Sequence, residues 1–358
     1  MAEIMKAALL FGKRDVRVID VPKPVVGPNE VLVKIKICLT SGTTVKQYER
    51  GYPGMGYPHG FGYEWAGEIV RVGDNVDKSL IGKKCISAVP EHACNNCFFC
   101  IRGQSNLCVK KWHAEDKVLK TDRPEKGEVS GYFKEYAKLK TAELYLLPDH
   151  VPLEDACQIP YIAYAIHGNR KLKINMGDVV AVIGCGAMGI IQMMLSRLRG
   201  ARTVAIDYNP SRLDIAKSLG AADYVVTASD AAEAKRKINA LGVNEGFGPD
   251  IVIEAVGHPQ VYEEAVELVR RGGQVLFFGG APEGTRVTFD TYRLHYDEIT
   301  LVGSVGLTVD DVVRARMLVE TGFIKPRIFI SDYYPLTEIQ KALELHLKGQ
   351  GLKYAIIP

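Results

Sequence analysis

Cys94-Asn-Asn-Cys97-Phe-Phe-Cys100, followed after seven intervening residues by Cys108, places four thiols at a spacing that closes a tetrahedron around zinc. Four sulfur ligands leave no open position for water or substrate, so a metal there holds a loop together and does no chemistry. A disulfide-bonded lobe would need an oxidising compartment, yet no signal peptide is expected before Met1-Ala-Glu-Ile-Met-Lys6 and the other four cysteines are scattered. The expectation is one structural zinc per chain, in a lobe spanning about residues 91–110, and a cytoplasmic protein.

A second pattern concerns phosphate. Gly184-Cys-Gly186-Ala187-Met188-Gly189 follows an apolar, strand-like run and opens an apolar, helix-like one. Glycines there allow a tight turn, close approach of backbone to a pyrophosphate and close packing of helix on strand, while the helix start supplies N–H groups and a positive dipole end. Asp207, at the end of the next strand-like run, suits the adenosine ribose hydroxyls and repels a 2′-phosphate, so NAD is expected ahead of NADP. Arg212, five residues on, is within reach of adenine or ribose.

These residues need elements to position them. The first 150 residues carry short β-type runs, such as 30–37, broken by Pro and Gly clusters at 22–24 and 51–58, which suits a small irregular β-barrel or sandwich. After Asp155 the pattern changes to strand-like runs at 178–183, 203–206, 222–226, 250–254, 274–278 and 299–302, alternating with helical segments. Six such strands with crossover helices make a doubly wound parallel sheet. A helix-like segment at 309–321, a β-like run at 327–331 and a helix-like segment at 336–348 are too short for a domain of their own and are expected to return to the first.

Composition is compatible with two packed cores and little else. The 358 residues are 47% hydrophobic, and 45 Lys and Arg against 42 Asp and Glu leave a net charge of +3. That balance points to neither a nucleic-acid nor a membrane partner, and no run of apolar residues is long enough to span a bilayer. The densest basic stretch, 110–126, is interleaved with Glu115, Asp116, Asp122 and Glu125 and reads as a solvated excursion.

With Gly60-Phe-Gly62-Tyr63-Glu64-Trp65-Ala66-Gly67, the four cysteines, the glycine loop and the closing Gly349-Gln-Gly351-Leu-Lys353, the chain resembles the zinc-containing medium-chain dehydrogenases over essentially its whole length. Within them it is similar to the polyol, cyclitol and threonine dehydrogenase branch. The resemblance implies a GroES-like β-rich catalytic domain (1–156 plus 306–358) into which a Rossmann domain (157–305) is inserted. It also implies hydride exchange between an alcohol carbon and the nicotinamide in the cleft between them, NAD or NADP as cofactor, and a homo-oligomer, dimer or tetramer. Val256 and Gly279 join Gly184, Gly186, Ala187, Met188, Gly189, Asp207 and Arg212 as implied cofactor residues.

That family polarises its substrate with a second, catalytic zinc. The first ligand comes from a Cys-Gly-(Ser/Thr)-Asp motif, and the matching run here is Ser41-Gly42-Thr43-Thr44. The second comes from Gly-His-Glu, matched by Gly62-Tyr63-Glu64, and the third position, counted back from His167, falls on Pro160. Thr44 stands where an Asp orients the ligand histidine. Cys38 lies three residues too early to stand in, because Gly42-Thr43 and residues 46–51 fix the register. Hydroxyls and proline are poor zinc ligands at neutral pH, so no catalytic zinc is expected.

The remaining groups define the chemistry left. Tyr63, Tyr161 and Tyr164 can donate hydrogen bonds to a developing oxyanion, or can fill space left by an ion; Thr43 matches the family's proton-relay hydroxyl. Ser41 and Glu64 complete the candidate set, Glu64 as a buried or water-bridged acid. His59 is a rescue ligand, a proton donor or a solvated edge residue, and His167 suits a core hydrogen bond. Val305-Gly306-Leu307 implies a less polar substrate pocket than the branch usually has. Without zinc, reduction of a carbonyl, imine or conjugated alkene is easier than oxidation of an unactivated alcohol. Two other readings stand beside it: a non-catalytic NAD-binding relic, and a repurposed pocket whose acid/base chemistry needs no hydride.

Overall fold

The computed structural model describes residues 3–51, 56–87, 93–112 and 121–358. Part of the 51–58 turn cluster and residues 113–120 of the basic stretch lie outside the described residues. The chain divides into two compact units, residues 1–161 with 308–358, and residues 162–307.

The second unit is a six-stranded parallel sheet in the order Tyr224–Thr227, Arg202–Asp207, Val179–Ile183, Ile251–Glu254, Gln274–Phe277, Thr300–Gly303. Every residue of the central strand Val179–Ile183 is buried, as expected of a run covered on both faces. The order reverses on either side of that strand, and such a switch point opens a crevice at the carboxyl ends of the strands. Crossover helices Ala187–Leu198, Pro210–Ser218, Ala231–Ala240 and Pro259–Leu268 complete the layers.

The first unit holds a three-stranded sheet, Asp15–Pro22, Ile4–Gly12 and His59–Gly60, and a seven-stranded sheet running Ile330–Pro335, Lys353–Ile357, Glu30–Leu39, Glu64–Val72, Lys84–Ser87, Leu144–Leu146, with Tyr136–Lys140 also paired to Glu30–Leu39. The tail therefore does return to the N-terminal unit. Its strand lies at Ile330–Pro335, later than the 327–331 expected, because Pro326 opens a 3-10 turn, Pro326–Phe329, that uses up the first half of the run.

Register decides which side chains meet. Leu39 is opposite Glu64 on one side and opposite Ala355 on the other. Because side chains alternate along a strand, Glu64, Leu39, Ala355 and Lys353 share one face. Two residues far apart in sequence are thus brought together across the central strand.

Candidate active site

The glycine loop is built for close approach. Gly184 has φ +97°, and a Cβ there would lie 2.8 Å from Val256 Cγ2. A Cβ on Gly189 would lie 1.9 Å from the Gly184 carbonyl oxygen, so only glycine lets the helix sit this close to its strand. Gly186 is the N-cap of Ala187–Leu198, has no side-chain cap, and faces open space where its Cβ would be. The first helical N–H groups, at Ala187, Met188 and Gly189, have no intrahelical acceptor, the arrangement that suits a phosphate.

Asp207 is buried, and its two carboxylate oxygens accept from Cys185 N at 2.8 Å and Asn209 N at 2.9 Å. Each oxygen keeps a further lone pair, so the acid is held rigidly with acceptor capacity to spare. Arg212 Nη1 is 4.0 Å from it, and Arg212 Nε is buried without a partner among the described residues. Val256 N donates to Glu254 Oε1 at 2.7 Å, while a Cβ on Gly279 would come within 2.2 Å of Gly257 N. Open glycines, uncapped N–H groups, a fixed acid and an orphaned guanidinium N–H all fit a dinucleotide.

The four thiols of Cys94, Cys97, Cys100 and Cys108 lie within 4.8 Å of one another, with Cys94 and Cys100 sulfurs 3.9 Å apart. A tetrahedron with Zn–S bonds of about 2.3 Å has edges of about 3.8 Å, so the cluster fits zinc. None of the eight cysteines is in a disulfide. Among the described residues this is the one group of three or more His, Cys, Asp or Glu side chains close enough to share an ion.

Ser41 is buried and caps the helix Gly42–Arg50: its hydroxyl accepts from Thr44 N at 3.3 Å, and Thr44 Oγ1 accepts from Ser41 N at 2.7 Å. This is a reciprocal capping box, and it occupies the hydroxyls of both Ser41 and Thr44. Thr43, on the same first turn, is exposed. Tyr63 is 41% exposed, and its oxygen accepts from Gln47 Nε2 at 2.7 Å.

Glu64 is 5% exposed and is not a free acid. Both its oxygens accept from Lys353 Nζ, at 2.8 and 2.7 Å. Burial pushes its carboxyl above the usual range, with the ammonium opposing. Tyr161 lies over Lys353, its ring centre 3.6 Å from Nζ, and burial together with the Glu64 charge pushes its phenol well up. Cys38 belongs to the hydrophobic core of the first unit, and its thiol is pushed well up by burial, then by Glu64. Ser41, Glu64 and Tyr161, expected among the working groups, are therefore occupied by a cap, an ion pair and a cation–π contact. Pro160 lies in the helix Ile159–Asn169 with His167, which is buried, and Tyr164, which is exposed. His59 pairs with Leu10 at the sheet edge, its Nδ1 buried without a partner among the described residues.

Two family models match in sequence, "Alcohol dehydrogenase GroES-like domain" over residues 27–149 and "Zinc-binding dehydrogenase" over 187–320. D-arabinitol dehydrogenase 1 of Uromyces fabae is 30% identical over 353 residues, covering 98% of this chain and 97% of its own length. The chain belongs to the zinc-binding dehydrogenases.

L-threonine 3-dehydrogenase of Bacillus licheniformis is also 30% identical, over 94% of both chains. Among solved structures, alcohol dehydrogenase TADH from Thermus sp. ATN1 aligns with TM-score 0.82 at 26% identity over 99% of each chain. A zinc-binding dehydrogenase of Sinorhizobium meliloti, bound to NADP, aligns with TM-score 0.83 at 25% identity over 99% of this chain and 100% of its own. This dehydrogenase is accordingly an oxidoreductase of the medium-chain type, with GroES-like and Rossmann-like parts. Sequence reasoning missed two of its residues. Lys353 had a signal, a lone charge inside the apolar run Leu352-Lys-Tyr-Ala-Ile-Ile357; Gln47 had none, because its meaning lies in the contact with Tyr63.

Proposed function

We propose that this dehydrogenase uses NAD(H) to reduce a carbonyl, imine or activated alkene without a catalytic zinc. The observation that carries the reading is the buried Glu64–Lys353 pair, taken together with the cap at Ser41: the carboxylate is already neutralised by an internal cation, the serine hydroxyl is bonded within the helix cap, and Pro160 has no donor. Zinc takes thiolate, imidazole or carboxylate, and this donor set does not fit it. The names of the sorbitol, arabinitol and threonine dehydrogenase relatives support a substrate with hydroxyl groups near the reacting carbon.

When bound, NADH supplies the hydride. Tyr63, exposed and polarised by the Gln47 amide, donates to the oxygen or nitrogen on which charge develops, and Thr43 passes the proton onward. The glycine loop holds the pyrophosphate, and Asp207 selects NAD over NADP by its charge. The test is NADH consumption against a panel of ketones, imines and enones, with alcohol oxidation by NAD+ run in parallel. Turnover of acceptors, with Tyr63→Phe lowering kcat on the order of a hundredfold, is the expected result. NADH binding without turnover of any acceptor would make the chain a relic, and turnover indifferent to NADH would point to chemistry without hydride.

A further inference from the structure

Gln47 pays a cost that its surroundings do not repay. It lies on the helix Gly42–Arg50, is 3% exposed, and has its Oε1 buried with no partner among the described residues. A buried amide oxygen left unpaired destabilises a fold, and methionine would fill the same volume without that penalty. The amide Nε2 donates to Tyr63 Oη at 2.7 Å. Retaining an amide here makes sense through what that N–H does for the phenol.

We propose that Gln47 is a positioning residue that holds Tyr63 as the proton donor of the reaction and stabilises the phenolate left behind. The inference rests on the reductase reading above. As hydride from the reduced nicotinamide bonds to the acceptor carbon, the C=O pair moves to oxygen. The Tyr63 O–H bond breaks and its proton goes to that oxygen, giving the alcohol. The acceptor gains two electrons, the nicotinamide loses them, and the negative charge on Tyr63 Oη meets the Gln47 N–H already aimed at it. Water returns the proton, since Tyr63 is exposed. A hydrogen bond to a charged oxygen is stronger than one to a neutral phenol, so the amide helps most after the proton has left.

The full chain with NADH and an accepted carbonyl tests this with Gln47→Met, Tyr63→Phe and the double variant. Gln47→Met is expected to melt no lower than the parent while kcat falls on the order of tenfold, the scale of one hydrogen bond to a charged group, with KM nearly unchanged. The alkaline limb of its kcat profile should move up by about one pH unit. In the Tyr63→Phe background the same change should cost nothing further. A second readout needs no turnover: tyrosinate absorbance of the parent minus Tyr63→Phe isolates this phenol, and Gln47→Met should move its titration to higher pH. An equal loss of kcat in both backgrounds, or an unmoved phenol titration, would overturn the role of Gln47. Absence of turnover with a phenol titration that still moves would sink the reductase reading alone.

Discussion

Lys353 Nζ donates to both carboxylate oxygens of Glu64, and the two residues are 289 positions apart in the chain. Both are buried, at 1% and 5% exposure. The last strand of the protein thus supplies the cation that neutralises this buried acid, and the Tyr161 ring closes over it.

Removing one partner leaves the other charged and dry. Lys353→Met is expected to cost about 3–5 kcal/mol in urea unfolding, whereas Lys353→Met with Glu64→Leu should recover most of that loss. A double variant as unstable as the single one would show that the pair does not hold the charge as described.

Lys134 gives the stability a pH dependence of its own. It is buried, its ammonium donates to the Val129 carbonyl, and burial pulls its pKa down to about 8, with Asp122 opposing. Below about 8 both folded and unfolded states carry the proton, and the fold bears the whole cost. Between there and the unfolded value near 10.4 the unfolded chain holds more protons, so stability rises with pH, on the order of 3 kcal/mol in all. Lys134→Met should remove that rise and stabilise the protein at neutral pH. Parallel stability curves for parent and variant across this window would refute it.

How much of this was legible in the sequence depends on how local the cause was. The glycine loop and its flanking runs are contiguous, and the strands Val179–Ile183 and Arg202–Asp207 form within a residue of where the apolar pattern places them. The cysteine lobe is equally local, with all four thiols inside fifteen residues. The capping box of Ser41 and Thr44 is also written in a four-residue spacing, but the same four residues align with a ligand motif, and spacing alone does not separate the two. Lys353 reaching Glu64 depends on the register of three strands, which no stretch of sequence encodes by itself. Gln47 is half of a contact made by folding, and the Tyr161 ring over Lys353 is another.

Asp207 should set cofactor choice. Asp207→Ser removes the acceptors of Cys185 N and Asn209 N as well as the charge, so NADH is expected to bind about 1.5–3 kcal/mol more weakly while NADPH loses less. Fluorescence titration of both cofactors checks it, and an equal loss for the two would show that the acid supports the loop without choosing between them.

Under the proposed function, hydride transfer proceeds without a second zinc. Metal content by mass spectrometry, taken on the same enzyme whose NADH-dependent turnover is measured, decides this. A zinc-free active centre predicts one zinc per chain, lost in variants of Cys94, Cys97, Cys100 or Cys108, with kcat unchanged by added zinc. Two zinc ions per chain, with the second tracking kcat as it is removed and restored, would contradict it.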